Sequence, residues 1–158
     1  MIDIVGPEDA TKAVIDIYDV FGLAPQTLQG ADRLSEHIGA LVLVPDFLLG
    51  IYAQAAWFPV DTPEKQKAMS DFRTGPAGIE ANVERLLKFR KALSEKYPAV
   101  DDHTAVGGLC WGGYEPTLHF ISFKVADSGH SKVAVIAAGP GNEGPGRKFT
   151  ASWTAHPG

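Results

Sequence analysis

The single cysteine of this chain lies in a frame of glycines. The segment GGLCWGG, residues 107–113, places Cys110 two positions after Gly108 and two positions before Gly112. A nucleophile on a tight turn between a strand and a helix needs such neighbours, because the backbone doubles back where a Cβ atom would collide. A thiolate is a strong nucleophile, and the N-terminus of a following helix favours this ionised form. The pattern therefore predicts covalent catalysis, with the amide of Trp111 as one donor of an oxyanion hole.

Two other roles for Cys110 stay open from the residues alone. Free cysteine is among the most frequently buried residues, and a Gly-x-Cys-x-Gly pattern is by itself weakly specific. A redox-sensing thiol is the third interpretation, and it requires an accessible and acidic cysteine. The position of Cys110 just after a predicted strand favours the role of nucleophile over the other two, because functional groups of parallel α/β sheets gather beyond the carboxyl ends of the strands.

The elements that must position this turn alternate between strands and helices. Continuous β-branched and apolar sequence predicts strands over Ala13–Tyr18, Ala40–Asp46, Thr104–Leu109 and residues 149–155. Amphipathic spacing predicts helices over Thr27–His37 and Ile79–Tyr97, and a further helix begins where Thr62 caps and Pro63 fills the first turn. This alternation over short connections predicts an α/β fold with a mostly parallel sheet flanked by helices.

Composition limits the classes of function. Hydrophobic residues make up 45% of the 158 residues and charged residues 21%, as in an ordinary globular domain, so one domain over 1–158 is predicted. The net charge of −5 without a basic cluster argues against nucleic acid and anionic membranes as partners. Without a secretory signal or a long apolar run, a cytoplasmic location is expected. No His, Cys or carboxylate pair has metal-ligand spacing, so neither a metal nor another cofactor is predicted.

Three ordered motifs resemble the dienelactone hydrolase family, especially its fungal members. They are YDVFGLAPQTLQGADRLSEHIGALVLVPDFLLG, GLCWGG and FTASWTAHPG, and the likeness covers most of 13–113 and again 148–158. The resemblance implies an α/β-hydrolase fold and hydrolysis of small esters or lactones by a Cys, an Asp and a His. By matching position, Cys110 is the nucleophile and Val20 offers the second oxyanion amide. Asp19 takes the place of an acidic residue that contacts the resting nucleophile, whereas from the residues alone it is a turn-forming Asp after a strand.

The chain also departs from this family. Relatives have one or two strands before the equivalent of Ala13, and their catalytic Asp and His follow the AHPG motif, so truncation at both ends is expected. Pro116 falls in the first turns of the helix after the elbow, where it costs ~3 kcal/mol, and an insertion over 114–123 is expected. For Lys132–Ala138, β-branching favours a strand but the position in the family favours a helix, and we expect the helix.

Residues within the chain offer one substitute for the missing pair. The family order of nucleophile, acid and histidine allows Cys110, then Asp127, then His130 or His156. His156 matches a histidine that is not catalytic in relatives, and three residues in this order arise easily by chance. We therefore expect no complete triad from Asp127 and His156.

The sequence thus predicts a hydrolase that acts on small esters or lactones through a cysteine nucleophile and an acyl-enzyme. A small molecule is the expected partner. The aromatic loop with Trp57 and Phe58 either lines the substrate pocket or is an ordinary packed loop. The alternative is a catalytically incompetent fragment with a ligand-binding role or no independent role, whose uncovered sheet edges promote self-association.

Overall fold

A computed structural model describes residues 1–113, 133–138 and 150–153 of the chain. The strands are β1 (Ile2–Val5), β2 (Ala13–Ile17), β3 (Leu41–Pro45), β4 (Thr104–Leu109), β5 (Val133–Ala138) and β6 (Thr150–Trp153). The α-helices are α1 (Pro25–Ile38), α2 (Pro63–Thr74) and α3 (Ile79–Lys96). Short 3₁₀ turns are formed by Ala55–Trp57 and Pro98–His103.

The described strands form one mixed sheet in the order β1-β3-β2-β4-β5-β6. The central strands β3, β2, β4 and β5 are parallel, while β1 runs antiparallel to β3 and β6 antiparallel to β5. The register places Ile15 opposite both Leu43 and Val106, and Ile17 opposite Gly108. The predicted α/β fold with a mostly parallel sheet is confirmed. The carboxyl ends of β2, β3 and β4 therefore lie side by side.

Local chemistry explains where the helices begin and end. The helix predicted from Thr27 begins at Pro25 and ends at Gly39, which has a φ of 61° and donates its amide to the Ser35 carbonyl. Left-handed geometry of this kind is common just past a helix end. At α2 the Thr62 side chain accepts a hydrogen bond from the Lys65 amide at 3.3 Å, so the predicted cap is confirmed.

Two strands differ from the expectation. The helix expected over Lys132–Ala138 is wrong, because Val133–Ala138 forms β5 and pairs in parallel with β4. Its β-branched run is suited to a pleated strand, and that local preference outweighs the position in the family pattern. Strand β1, residues 2–5, was not predicted, since the four residues before the Gly6-Pro7 turn signal give little periodicity to detect. The insertion expected over 114–123 lies outside the described residues.

The core joins the parallel strands to the helices. Ile15, Leu43 and Leu86 are fully buried members of one apolar cluster. The Arg85 guanidinium donates to the Phe47 carbonyl at 3.1 Å, so α3 is tied to the segment that follows β3. Among the described helices, none has the length and apolar character required to cross a membrane.

Asp16 is the charged residue of β2, and it lies at the centre of the sheet. Strand alternation places its side chain on the face opposite Ile15 and Ile17, where it is paired in register with Gly107. No described residue donates a hydrogen bond to its carboxylate. Burial raises the pKa of Asp16 from 3.8 to about 6, because a charged carboxylate is poorly solvated there. Ionised Asp16 is therefore a destabilising element of the sheet.

We expect Asp16→Asn to become increasingly stabilising, relative to the wild type, as the pH rises. The unfolded chain releases this proton near pH 3.8 and the folded protein near pH 6, so wild-type stability falls as the pH rises through that window. The advantage of Asp16→Asn in urea unfolding should grow by about 2 kcal/mol between about pH 4 and about pH 7. Val14→Ala changes packing on the same face without a titrating group and should show one constant difference at both pH values. A constant difference for Asp16→Asn as well would contradict the prediction.

Candidate active site

Strand β4 ends in a tight turn that carries the cysteine. The Leu109 carbonyl accepts the Gly112 amide at 3.0 Å, and the Cys110 carbonyl accepts the Gly113 amide at 3.1 Å. Cys110 itself has a φ of 53°, a left-handed conformation that L-residues other than Gly seldom adopt. Its free thiol is exposed. A strained residue that presents a nucleophile beyond a parallel strand has the form of a nucleophile elbow.

The two glycines that frame Cys110 are required by close backbone approach. A Cβ atom on Gly108 would lie 2.2 Å from the Gly112 carbonyl oxygen. A Cβ atom on Gly112 would lie 2.3 Å from the Ile17 carbonyl oxygen. Both contacts are with backbone atoms, which cannot rotate away. The Gly-x-Cys-x-Gly pattern is therefore a steric requirement of this turn and of its packing against the end of β2.

A second loop leaves the sheet beside the elbow, directly after β2. The Asp19 carboxylate accepts the Phe21 amide at 2.8 Å, and the Asp19 carbonyl accepts the Gly22 amide at 3.2 Å. This is the turn-forming role that the residues alone indicate for Asp19. Among the described residues no hydrogen bond joins that carboxylate to the Cys110 thiol. The contact with the resting nucleophile, which the resemblance implies, stays a prediction.

The structure brings the two candidate oxyanion residues to neighbouring strand ends. Val20 and Trp111 each follow a strand by a few residues, and these strands are paired at Ile17 and Gly108. Within residues 1–113 neither amide donates a hydrogen bond, whereas the Val20 carbonyl accepts the Ala53 amide at 2.9 Å. Amides that make no hydrogen bond to this part of the chain, on the strand end that carries an exposed thiol and on its neighbour, are groups that could stabilise an oxyanion.

The aromatic loop packs at Trp57, and its lining of a substrate pocket stays a prediction. Trp57 packs against Phe72 with ring centroids 5.9 Å apart, as in an ordinary packed loop. Phe58 is 42% exposed and contacts Phe21, which is 40% exposed, at 5.6 Å between centroids. Phe21 directly follows Val20 in the chain, so this exposed pair adjoins the loop that carries one of the candidate oxyanion amides.

The acid and base that follow the nucleophile in the family pattern are not assembled by the described residues. Asp127, His130 and His156 lie outside them. The described histidines, His37 and His103, are exposed and make no hydrogen bond to Cys110. Nor does any group of three or more His, Cys, Asp or Glu among the described residues have a geometry that could hold a metal ion.

Tyr18 is a site residue that sequence reasoning missed. Its ring stacks on Trp111, with centroids 6.3 Å apart and an angle of 26° between the ring planes. In the sequence it only ends an apolar run, and the one available signal is a hydroxyl at a position that the strand pattern predicts to be buried.

Alanine at either framing glycine should disrupt the elbow. Because the added methyl group meets a backbone carbonyl, we expect Gly108→Ala and Gly112→Ala each to lower the free energy of unfolding by about 3 kcal/mol. Gly107→Ala is the matched control, since its Cβ would meet only Val14 Cγ1 at 3.8 Å and Asp16 Oδ1 at 3.9 Å. It should cost less than about 1 kcal/mol in urea unfolding. Equal effects at all three glycines would rule out the steric explanation.

Comparison with known proteins agrees with this geometry. No family model matches the chain. An uncharacterized AIM2 family protein of Schizosaccharomyces pombe is 33% identical over 124 residues, which are 75% of this chain and 49% of that protein. Carboxymethylenebutenolidase homologs of Mus musculus and Homo sapiens are 32% and 31% identical, over 68% and 77% of this chain and 40% and 45% of their own. The chain thus spans about half the length of the curated relatives that it matches.

Solved structures identify the fold. A dienelactone hydrolase from Anabaena variabilis superposes with a TM-score of 0.60 and 18% identity, covering 89% of this chain and 58% of the other. A putative dienelactone hydrolase from Klebsiella pneumoniae gives a TM-score of 0.55 and 17% identity, over 76% and 47% of the two chains. The fold is therefore that of the α/β hydrolases. Together with the curated relatives, it shows that this chain belongs to the dienelactone hydrolase family.

Proposed function

We propose that the Cys110 thiol attacks the carbonyl carbon of small esters or lactones and forms an acyl-enzyme. The observation that carries this proposal is the elbow, where an exposed thiol sits on a left-handed residue beyond the end of β4. The substrate class follows from the relatives, since carboxymethylenebutenolidase and dienelactone hydrolase are both names for hydrolases of lactones. For this chain it is part of the proposal.

In the first step a sulfur–carbon bond forms and the ester carbon–oxygen bond breaks. The thiolate supplies the electron pair and the carbonyl oxygen becomes an oxyanion. The collapse of that intermediate expels the alcohol of an ester, or opens the ring of a lactone, and the alcohol oxygen takes up the proton lost by the thiol. The amides of Trp111 and Val20 donate to the oxyanion. Each such donor contributes about 10²- to 10³-fold to the rate of acyl transfer.

Asp19 has two roles in this proposal that are compatible with each other. Its carboxylate holds the turn that carries the Val20 amide, through the bond to the Phe21 amide. Among the described residues no hydrogen bond engages the second oxygen of the same carboxylate, and we assign to it the contact with the thiol that the resemblance implies.

The second step returns the free thiol, as water attacks the thioester and releases the acid. This step needs a general base to remove a proton from the water. Asp127 and His156 are the candidates in this sequence, and the described residues supply no substitute for them. We therefore propose that the chain completes acylation efficiently and deacylation slowly.

The location of the protein and its association stay predictions. A lone free cysteine suits a reducing compartment such as the cytoplasm. The edge strand β1 exposes Ile2 and Ile4, at 40% and 38%, which supports the expectation of self-association through a sheet edge.

We expect 4-nitrophenyl acetate to release about one nitrophenolate per chain in a burst that Cys110→Ala abolishes. Because preorganised amides stabilise the oxyanion, the burst should be at least about 100-fold faster than acetylation of N-acetylcysteine at the same pH. Stopped-flow absorbance gives the rate. Intact-mass analysis of wild type and Cys110→Ala shows whether one acetyl group is carried by the single thiol.

Three results would change the proposal. Many turnovers that require Cys110 would show that a base exists in the chain and would direct attention to Asp127 and His156. If the thiol is acetylated no faster than N-acetylcysteine, the amides of Trp111 and Val20 do not act as an oxyanion hole. No acetylation of the folded protein would favour the alternative of a non-catalytic, ligand-binding protein.

A further inference from the structure

The carboxyl ends of β2, β3 and β4 meet at one buried side chain. Tyr18 directly follows β2 and has no solvent exposure. Its hydroxyl donates to Asp46 Oδ1 at 2.9 Å and accepts the Leu48 amide at 3.0 Å, so it is bonded to the segment that follows β3. Its ring stacks on Trp111, which follows β4. A buried tyrosine whose hydroxyl is fully bonded is a rigid element of a structure.

Trp111 is held from two sides. One face of its indole lies on the Tyr18 ring, and its Nε1 donates to the Ala77 carbonyl at 3.1 Å. These contacts orient the residue whose backbone amide adjoins the Cys110 thiol. They also restrain the turn next to the strained φ of Cys110.

Tyr18 is linked to the other candidate amide through the backbone. Val20 is two residues further along the chain, and the Val20 carbonyl is bonded to the Ala53 amide. Tyr18 is therefore connected to both candidate oxyanion residues. It is linked to Val20 through the backbone of Asp19, and to Trp111 through the stacked rings. We infer that Tyr18 is a positioning residue, which sets the separation of the Val20 and Trp111 amides and so controls acyl transfer to Cys110.

This inference rests on the proposed function, and its physical reason is the steep dependence of catalysis on geometry. Tyr18 touches neither thiol nor substrate. A displacement of about 1 Å in a catalytic donor can cost about 100-fold in rate. Loss of the ring would let Trp111 shift while the protein keeps its fold. Burial raises the pKa of the Tyr18 hydroxyl, so it stays protonated and continues to donate to Asp46 over the working pH range.

Two reactions of the same thiol distinguish misplaced oxyanion amides from a general change in the fold or in the accessibility of Cys110. Acetylation by 4-nitrophenyl acetate passes through an oxyanion, whereas alkylation by iodoacetamide is a direct displacement at carbon that forms none. We expect Tyr18→Leu to lower the ratio of the acetylation rate to the alkylation rate about 10-fold. Tyr18→Phe keeps the stacked ring and should restore the ratio to within about 3-fold of the wild type.

Phe47→Leu is the matched control. Phe47 is a buried ring that contacts Tyr18 edge-on at 6.3 Å between centroids, and it has no ring contact with Trp111 among the described residues. This variant loses as many aromatic atoms from the same cluster, yet its ratio should stay within about 2-fold of the wild type. Trp111→Leu removes the other ring of the stack while it keeps the amide, and it should lower the ratio as Tyr18→Leu does.

The outcomes distinguish the inference from the function on which it rests. An unchanged ratio in Tyr18→Leu, or in Trp111→Leu if Tyr18→Leu does not fold, would overturn the positioning role. An equal fall in Phe47→Leu would also overturn it, because the effect would then belong to the whole cluster. A wild-type thiol that alkylates but is never acetylated would overturn the proposed function, and the inference with it.

Discussion

The approach of the β4 turn to the end of β2 is the constraint on which the site depends. At Gly112 the backbone comes so near the Ile17 carbonyl that a Cβ atom would lie 2.3 Å from its oxygen. This approach is possible only because β2 and β4 are neighbours in register, with Ile17 opposite Gly108. It leaves Cys110 at the top of the turn and places the loop after β2 beside it. The Cys110 thiol and two amides without a hydrogen bond to residues 1–113 thus share one edge of the sheet.

The strain at Cys110 is maintained by contacts that do not involve its own side chain. A left-handed residue other than Gly costs of the order of 1–2 kcal/mol, and it persists where neighbouring structure determines it. Here the amides of Gly112 and Gly113 close the turn, and the indole of Trp111 is anchored on Ala77. Backbone geometry therefore presents the Cys110 thiol at the surface of the described part of the chain.

Much of this fold could be predicted from the sequence, because its strands and helix ends are marked by residues that are close together in the chain. The strands that start at Ala13 and Thr104 carry mostly apolar residues, and Thr62 and Pro63 show where α2 begins. The elbow could also be predicted, since its steric requirement is expressed in glycines two positions from Cys110. Residues 133–138 gave two conflicting signals, and the β-branched one was correct.

What could not be predicted depends on contacts between residues distant in the chain. The Tyr18 hydroxyl meets partners 28 and 30 positions away, so no local window shows that this tyrosine belongs to the site.

The two proposed steps, acylation of the thiol and hydrolysis of the acyl-enzyme, also differ in whether their groups lie near one another in the fold. Cys110 and the amides of Val20 and Trp111 lie within a few residues of the paired ends of β2 and β4, so the sheet itself positions the groups to which we assign acyl transfer. A base that activates water must instead be brought to the thiol by a further connection, and pairing of these two strands does nothing to position it. In the mechanism that we propose, formation of the acyl-enzyme and its hydrolysis therefore depend on separate parts of the architecture, and one can be lost while the other is kept.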